Sequence, residues 1–225
     1  MKKTDLRYRA YVQILKEELV PAMGCTEPIA LAYAAAVARK TLGVLPDKVE
    51  VAASGSIIKN VKSVIVPHTG HLKGIPAAAA AGIVAGDAEK KLEVISHVKE
   101  EQVEEIKQFL EQTPITVEHL ESGITFDIEV TVHAGADSAK VRIANYHTNI
   151  VRIEKNGEIL ENIPVSGEEE NNLTDRSLLD MEHIWEFINT VDVEDVKPIL
   201  EPQLRMNMAI AEEGMTNDYG ANIGK

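Results

Sequence analysis

The chain has 225 residues, 44% of them hydrophobic, enough for one large core or two modest ones. Its formal charge of −13 repels a phosphate backbone and an anionic lipid surface, which argues against nucleic-acid and membrane binding and leaves small molecules and protein surfaces as partners. A single cysteine excludes an internal disulfide framework, and no apolar run approaches the roughly 20 residues that span a bilayer.

In chain order, the opening Met1-Lys2-Lys3-Thr4-Asp5 lacks the apolar stretch of a signal peptide, so a cytoplasmic protein is expected. Leu6, Val12, Ile14, Leu15 and Leu19 predict a first helix over about Asp5 to Leu19, ending before Pro21. A second helix is expected from Pro28, suited to a first turn, to Leu42; its small side chains call for close packing and suit a homodimer contact. Val49-Glu50-Val51 reads as a strand entering a Ser54-Gly55-Ser56 turn, and Ile75 to Ala85 as an alanine-rich helix.

The pattern changes near Lys90. Leu92 to Ile95 reads as a strand and Lys99 to Gln112 as an amphipathic helix. Further strands are expected at Ile115–Leu120, Ile124–Val132, Ala139–Ala144 and Ile150–Glu154, and Asn156-Gly157 signals a hairpin turn. The acidic stretch from Gly167 to Asn172 reads as a linker. Leu178 to Val191 and Val193 to Glu212 look helical, the second made irregular by Pro198 and Pro202. The expected fold is α+β: a mostly helical body formed by both ends, residues 1–90 and 168–225, carrying an inserted antiparallel or mixed sheet-and-helix module over 91–167.

Three constellations carry chemistry. In Gly24-Cys25-Thr26-Glu27-Pro28 a thiol stands at a helix start, where free N–H groups and the helix dipole favour thiolate while the Glu27 charge opposes it. Cys25 is thus a candidate nucleophile or metal ligand, set against the plainer role of a small buried apolar side chain. The segments Ser54 to Asn60 and Pro67 to Gly74 combine glycines with hydroxyl, amide and cationic groups suited to a carboxylate, although glycines also serve sharp turns alone. His68 and His71 raise a metal possibility that no nearby Cys or acidic ligand completes. In Asn145-Tyr146-His147-Thr148-Asn149, His147 can move protons near neutral pH.

Taken together, Gly24 to Pro28, Asn60 to Gly74, the Ala77–Gly86 helix and Arg142 to Ile150 resemble the L-cysteine desulfidase family, which is related to the iron–sulfur L-serine dehydratase alpha chain. The resemblance implies cytoplasmic breakdown of L-cysteine to pyruvate, ammonia and sulfide, without pyridoxal phosphate and with a [4Fe–4S] cluster held by three cysteines. Cys25 matches the first of these. The other two belong to a C-terminal part with no counterpart here, so the chain is expected to be the N-terminal part of a longer protein and inactive alone. Chemistry adds Glu27 and His147 as candidate catalytic groups, and Thr26, Asn60, Thr69 and Gly70 as candidate contacts to L-cysteine or L-serine. An L-serine deaminase, a direct Cys25 nucleophile and a non-catalytic amino-acid-binding module are the alternatives.

Overall fold

A computed structural model describes residues 1–22, 24–165 and 173–218. The chain divides into two units, one of residues 1–21 with 171–225 and the other of residues 22–170. The linker expected at 167–172 lies outside the described residues.

Helix α1 (Leu6–Glu18) opens the first unit, with the Asp5 carboxylate accepting from the Arg7 N–H at its start. The second unit follows in chain order. Helix α2 (Thr26–Leu42) leads to strand β1 (Lys48–Ala53), short helix α3 (Gly55–Val61), helix α4 (Gly74–Ala85) and helix α5 (Glu100–Gln112). Strands β2 (Ile115–His119), β3 (Asp127–Ala134), β4 (Asp137–Ala144), β5 (Ile150–Lys155) and β6 (Glu158–Asn162) come next. Helices α6 (Met181–Thr190) and α7 (Val193–Thr216) return to the first unit. The fold is α+β, as expected.

The six strands form one sheet in the order β2-β1-β3-β4-β5-β6. β1 runs parallel to β2 and the other neighbours are antiparallel, so the sheet is mixed. Alternation decides its two faces. Val49, Val51, Ile128, Val130, Val132, Val141 and Ile143 are buried on one side. On the polar positions between them, Lys140 pairs with Glu129 at 2.7 Å and His133 with Glu50 at 2.9 Å. The Arg142 guanidinium grips the fully buried Asp127 carboxylate through Nε at 2.9 Å and Nη2 at 2.7 Å, fixing the β3–β4 register where the β4–β5 turn begins.

Helix α2 packs on β3, β4 and β5, and on α4, which also meets α5. Neither α2 nor α4 offers a polar face: from Ile29 to Ala36 every residue of α2 is buried, as are Ala77 to Ala81 of α4. Such helices must be covered on most sides, and the sheet's apolar face is what covers α2. This corrects the expected domain boundaries. Residues 22–90 belong with the sheet, where β1 is an interior strand between β2 and β3, and from the N-terminal side the helical unit takes only residues 1–21.

Local expectations are corrected as well. Ser54-Gly55-Ser56 is the start of α3, with the Ser54 hydroxyl donating to the Thr125 carbonyl at 2.6 Å. Leu92 to Ile95 is no strand: a 3-10 segment, Ala88–Glu93, closes on itself as the Asp87 N–H bonds the Val94 carbonyl at 2.9 Å, which buries Leu92, Val94 and Ile95 without a strand partner. Helix α7 runs through Pro198 and Pro202 unbroken. In the helical unit Phe187 meets Tyr8 and Tyr11 edge-on, with ring centroids 5.5 and 5.3 Å apart.

Candidate active site around Cys25

Gly24 enters α2 with φ of 130°, a conformation that side chains resist, and Cys25 is the N-cap. The cap position leaves the thiol unspent, because Cys25 makes no side-chain capping bond, and Pro28 gives up an N–H that the first helical turn does not use. The exposed thiol instead donates to Glu27 Oε2 at 3.0 Å. From the end of α3, Asn60 Nδ2 donates to the other carboxylate oxygen of Glu27 at 3.4 Å. From the β4–β5 turn, His147 Nε2 stands 2.8 Å from the Thr26 hydroxyl. Three segments far apart in the chain therefore bring Cys25, Thr26, Glu27, Asn60 and His147 to one place.

The electrostatics follow from these contacts. Partial desolvation and then the Glu27 carboxylate, which accepts the thiol's hydrogen bond and repels a thiolate, push the Cys25 thiol above its ordinary value. Burial and then Glu27 outweigh the favourable helix start, so the resting sulfur is a protonated thiol. The Glu27 carboxyl is held below its usual range, first by the thiol's hydrogen bond and further by Asn60. Burial lowers the His147 imidazole below its usual value, against a smaller upward pull from Glu27. His147 is consequently neutral near pH 7, and in the tautomer with its proton on Nε2 it donates to the Thr26 hydroxyl and leaves the Nδ1 lone pair to accept a proton. Glu27→Gln should shift the pH at which iodoacetamide labels Cys25 half-maximally to a lower value, because the repelling charge is gone. An unchanged or higher midpoint would contradict the electrostatic assignment.

Two expected contacts are elsewhere. Thr69 is fully buried and its hydroxyl donates to the Val66 carbonyl at 2.8 Å, so it ties its own loop. Gly70, at φ of 65°, packs so closely on α5 that a Cβ would come within 3.0 Å of Val103 Cγ1. Their loop nevertheless borders the site, since a Cβ on Gly24 would lie 3.8 Å from Pro67 Cγ. Sequence reasoning missed Phe126, whose ring centroid is 4.4 Å from that of His147. As one apolar residue at the head of an alternating run it carried no separate signal.

A [4Fe–4S] cluster does not fit the residues present by themselves. One cysteine supplies one thiolate, and among the described residues no three His, Cys, Asp or Glu side chains converge as a metal site. Among the described residues no helix is long and apolar enough to cross a membrane.

The chain is similar over all 225 residues to a UPF0597 protein of Desulfitobacterium hafniense, at 52% identity and covering 52% of that protein. A UPF0597 protein of Lachnoclostridium phytofermentans is 46% identical over 217 residues, 96% of this chain and 52% of the relative. One of Fusobacterium nucleatum is 45% identical over 222 residues, 98% and 52% respectively. The chain thus spans about half the length of the curated relatives it matches. These relatives correct the family expectation: the similarity of this chain is to UPF0597 proteins, whose names give no activity, and its identification as the N-terminal part of an L-cysteine desulfidase does not stand. No family model matches the chain. No solved structure matches it either.

Proposed function

For a chain similar end to end to UPF0597 proteins, we propose a cytoplasmic lyase site that removes the α-proton and the β-substituent of a small L-amino acid, L-cysteine or L-serine, releasing pyruvate and ammonia. The observation that carries this reading is the junction of the Cys25–Glu27 pair with the Thr26–His147 pair at the start of α2. A neutral imidazole is the base that α-proton removal needs at pH 7. Thr26 holds Nε2 at the site, and the Asn60 amide with the first N–H groups of α2 is suited to the substrate carboxylate.

With L-cysteine, His147 takes the α-proton as the electron pair of the Cα–H bond forms the double bond and the Cβ–S bond breaks, its pair leaving on hydrosulfide. The 2-aminoacrylate tautomerises to an imine, and water converts this to pyruvate and ammonia with no net oxidation. With L-serine the leaving group is hydroxide. As a further part of the proposal, Cys25 is one ligand of a [4Fe–4S] cluster whose other ligands lie outside these 225 residues, and pyridoxal phosphate is not used.

Pyruvate, ammonia and sulfide should be measured anaerobically with L-cysteine, D-cysteine and L-serine, on a polypeptide extending this chain to its relatives' length. Pyruvate from an L-substrate in step with ammonia supports the reading. Saturable amino-acid binding without product would replace it with a binding module.

A further inference from the structure

The His147 imidazole packs against the ring of Phe126, in the segment leading into β3, with the two ring planes tilted by 57° and their centroids 4.4 Å apart. The ring is not an incidental neighbour, because its residue is tied to the same turn by backbone: the Asn145 N–H donates to the Phe126 carbonyl at 2.9 Å. Asn145 reaches that bond in a left-handed conformation, φ 68°, which few side chains tolerate as well as asparagine. Asn149 then closes the turn, its side-chain amide donating to the Ala144 carbonyl at 2.9 Å and its own carbonyl accepting from the Ala144 N–H at 3.1 Å. The imidazole is thus held between the Phe126 ring and the Thr26 hydroxyl.

We propose that Phe126 is the positioning residue for the His147 base: its ring, anchored to the turn through Asn145, keeps water off one imidazole face and holds Nε2 on Thr26. The proposal deepens the lyase reading and rests on it for its catalytic meaning. A ring face replaces hydration that an imidazolium needs more than a neutral imidazole does, while cation–π attraction works the other way. Burial lowers His147 here against the upward pull of Glu27, and the proposal takes the Phe126 ring as part of that burial. The charge acting on His147 among the described residues is the Glu27 carboxylate of α2. The Cys25 thiol beyond it is protonated, Thr26 of α2 and Asn60 of α3 do not ionise in this range, and Tyr146 is the titratable neighbour within the turn.

The test is an NMR titration of the 225-residue chain with 13C-labelled histidine, the His147 signal being assigned by its loss in His147→Gln. In Phe126→Ala the His147 midpoint should rise by about one pH unit, with a smaller rise in Phe126→Leu and the other six histidines unmoved. In the polypeptide that turns over, the acid limb of the kcat/KM profile should move by the same amount. A His147 midpoint unchanged in folded Phe126→Ala overturns the proposal. Should that variant fail to fold, an unchanged midpoint in Phe126→Leu overturns it. A shifted midpoint with no turnover by any form would support the clamp and overturn the lyase reading instead.

Discussion

Gly82→Ala is expected to cost about 3 kcal/mol or more of folding stability, although alanine is the better helix former by about 1 kcal/mol. A Cβ at Gly82 of α4 would lie 2.0 Å from the backbone oxygen of Ala32 in α2, and 2.7 Å from its carbonyl carbon. A backbone atom cannot swing aside as a side chain can, so the two helices must part by about an ångström or more to restore van der Waals distance. Parting them loosens fully buried Ala30, Ala34, Ala78 and Ala81 together, and none of these side chains is long enough to fill the gap. Gly214→Ala is the control, since a Cβ there, on α7, would meet nothing within 4 Å. It should be neutral or slightly stabilising. Urea unfolding followed by circular dichroism reads both, and a wild-type midpoint for Gly82→Ala would mean that α2 and α4 do not touch at this point.

His147→Gln is expected to lower kcat by about 10²- to 10⁴-fold in the polypeptide that turns over, the range for loss of a positioned general base. Glutamine can still bond the Thr26 hydroxyl and fill much of the space beside Phe126, so the turn and the fold should survive. What it cannot do is bind a proton near neutral pH. The substrate's KM should change much less than kcat, because the carboxylate contacts proposed for Asn60 and the start of α2 are untouched. Equal losses of kcat and folding stability would make His147 a structural residue, and an unchanged kcat would remove it from the chemistry altogether.

The elements whose patterns are set by local physics were legible in the sequence. α1 and α5 have apolar stripes, α2 and α4 have runs of small residues that only a covered helix accepts, and β3 alternates strictly. The misread features depend on partners distant in the chain. β1 looks like a strand of the helical half until β2 and β3 pair with it across more than sixty and more than seventy intervening residues. β6, Glu158–Asn162, is exposed at every residue and follows the turn at Asn156-Gly157, so no inward face announced it. Within the site, Cys25, Thr26 and Glu27 were legible because they are adjacent, and Asn60 and His147 because their side chains carry chemistry. The Thr69 hydroxyl bonds its own loop, and in the sequence a hydroxyl in a glycine-rich loop reads the same whether it faces a ligand or its own backbone. Phe126 acquires its meaning through the three-dimensional contact with His147.

The most direct measurement of the central claim is anaerobic pyruvate release from L-cysteine by the relative-length polypeptide and its Cys25→Ser variant, beside the 225-residue chain, with iron content and absorbance recorded after reconstitution. The expected result is a brown protein that releases pyruvate and sulfide in equal amounts, most of that activity lost in Cys25→Ser, and a 225-residue chain that stays colourless and inactive because it offers a single thiolate. Full turnover by Cys25→Ser, or by the 225-residue chain alone, would contradict it.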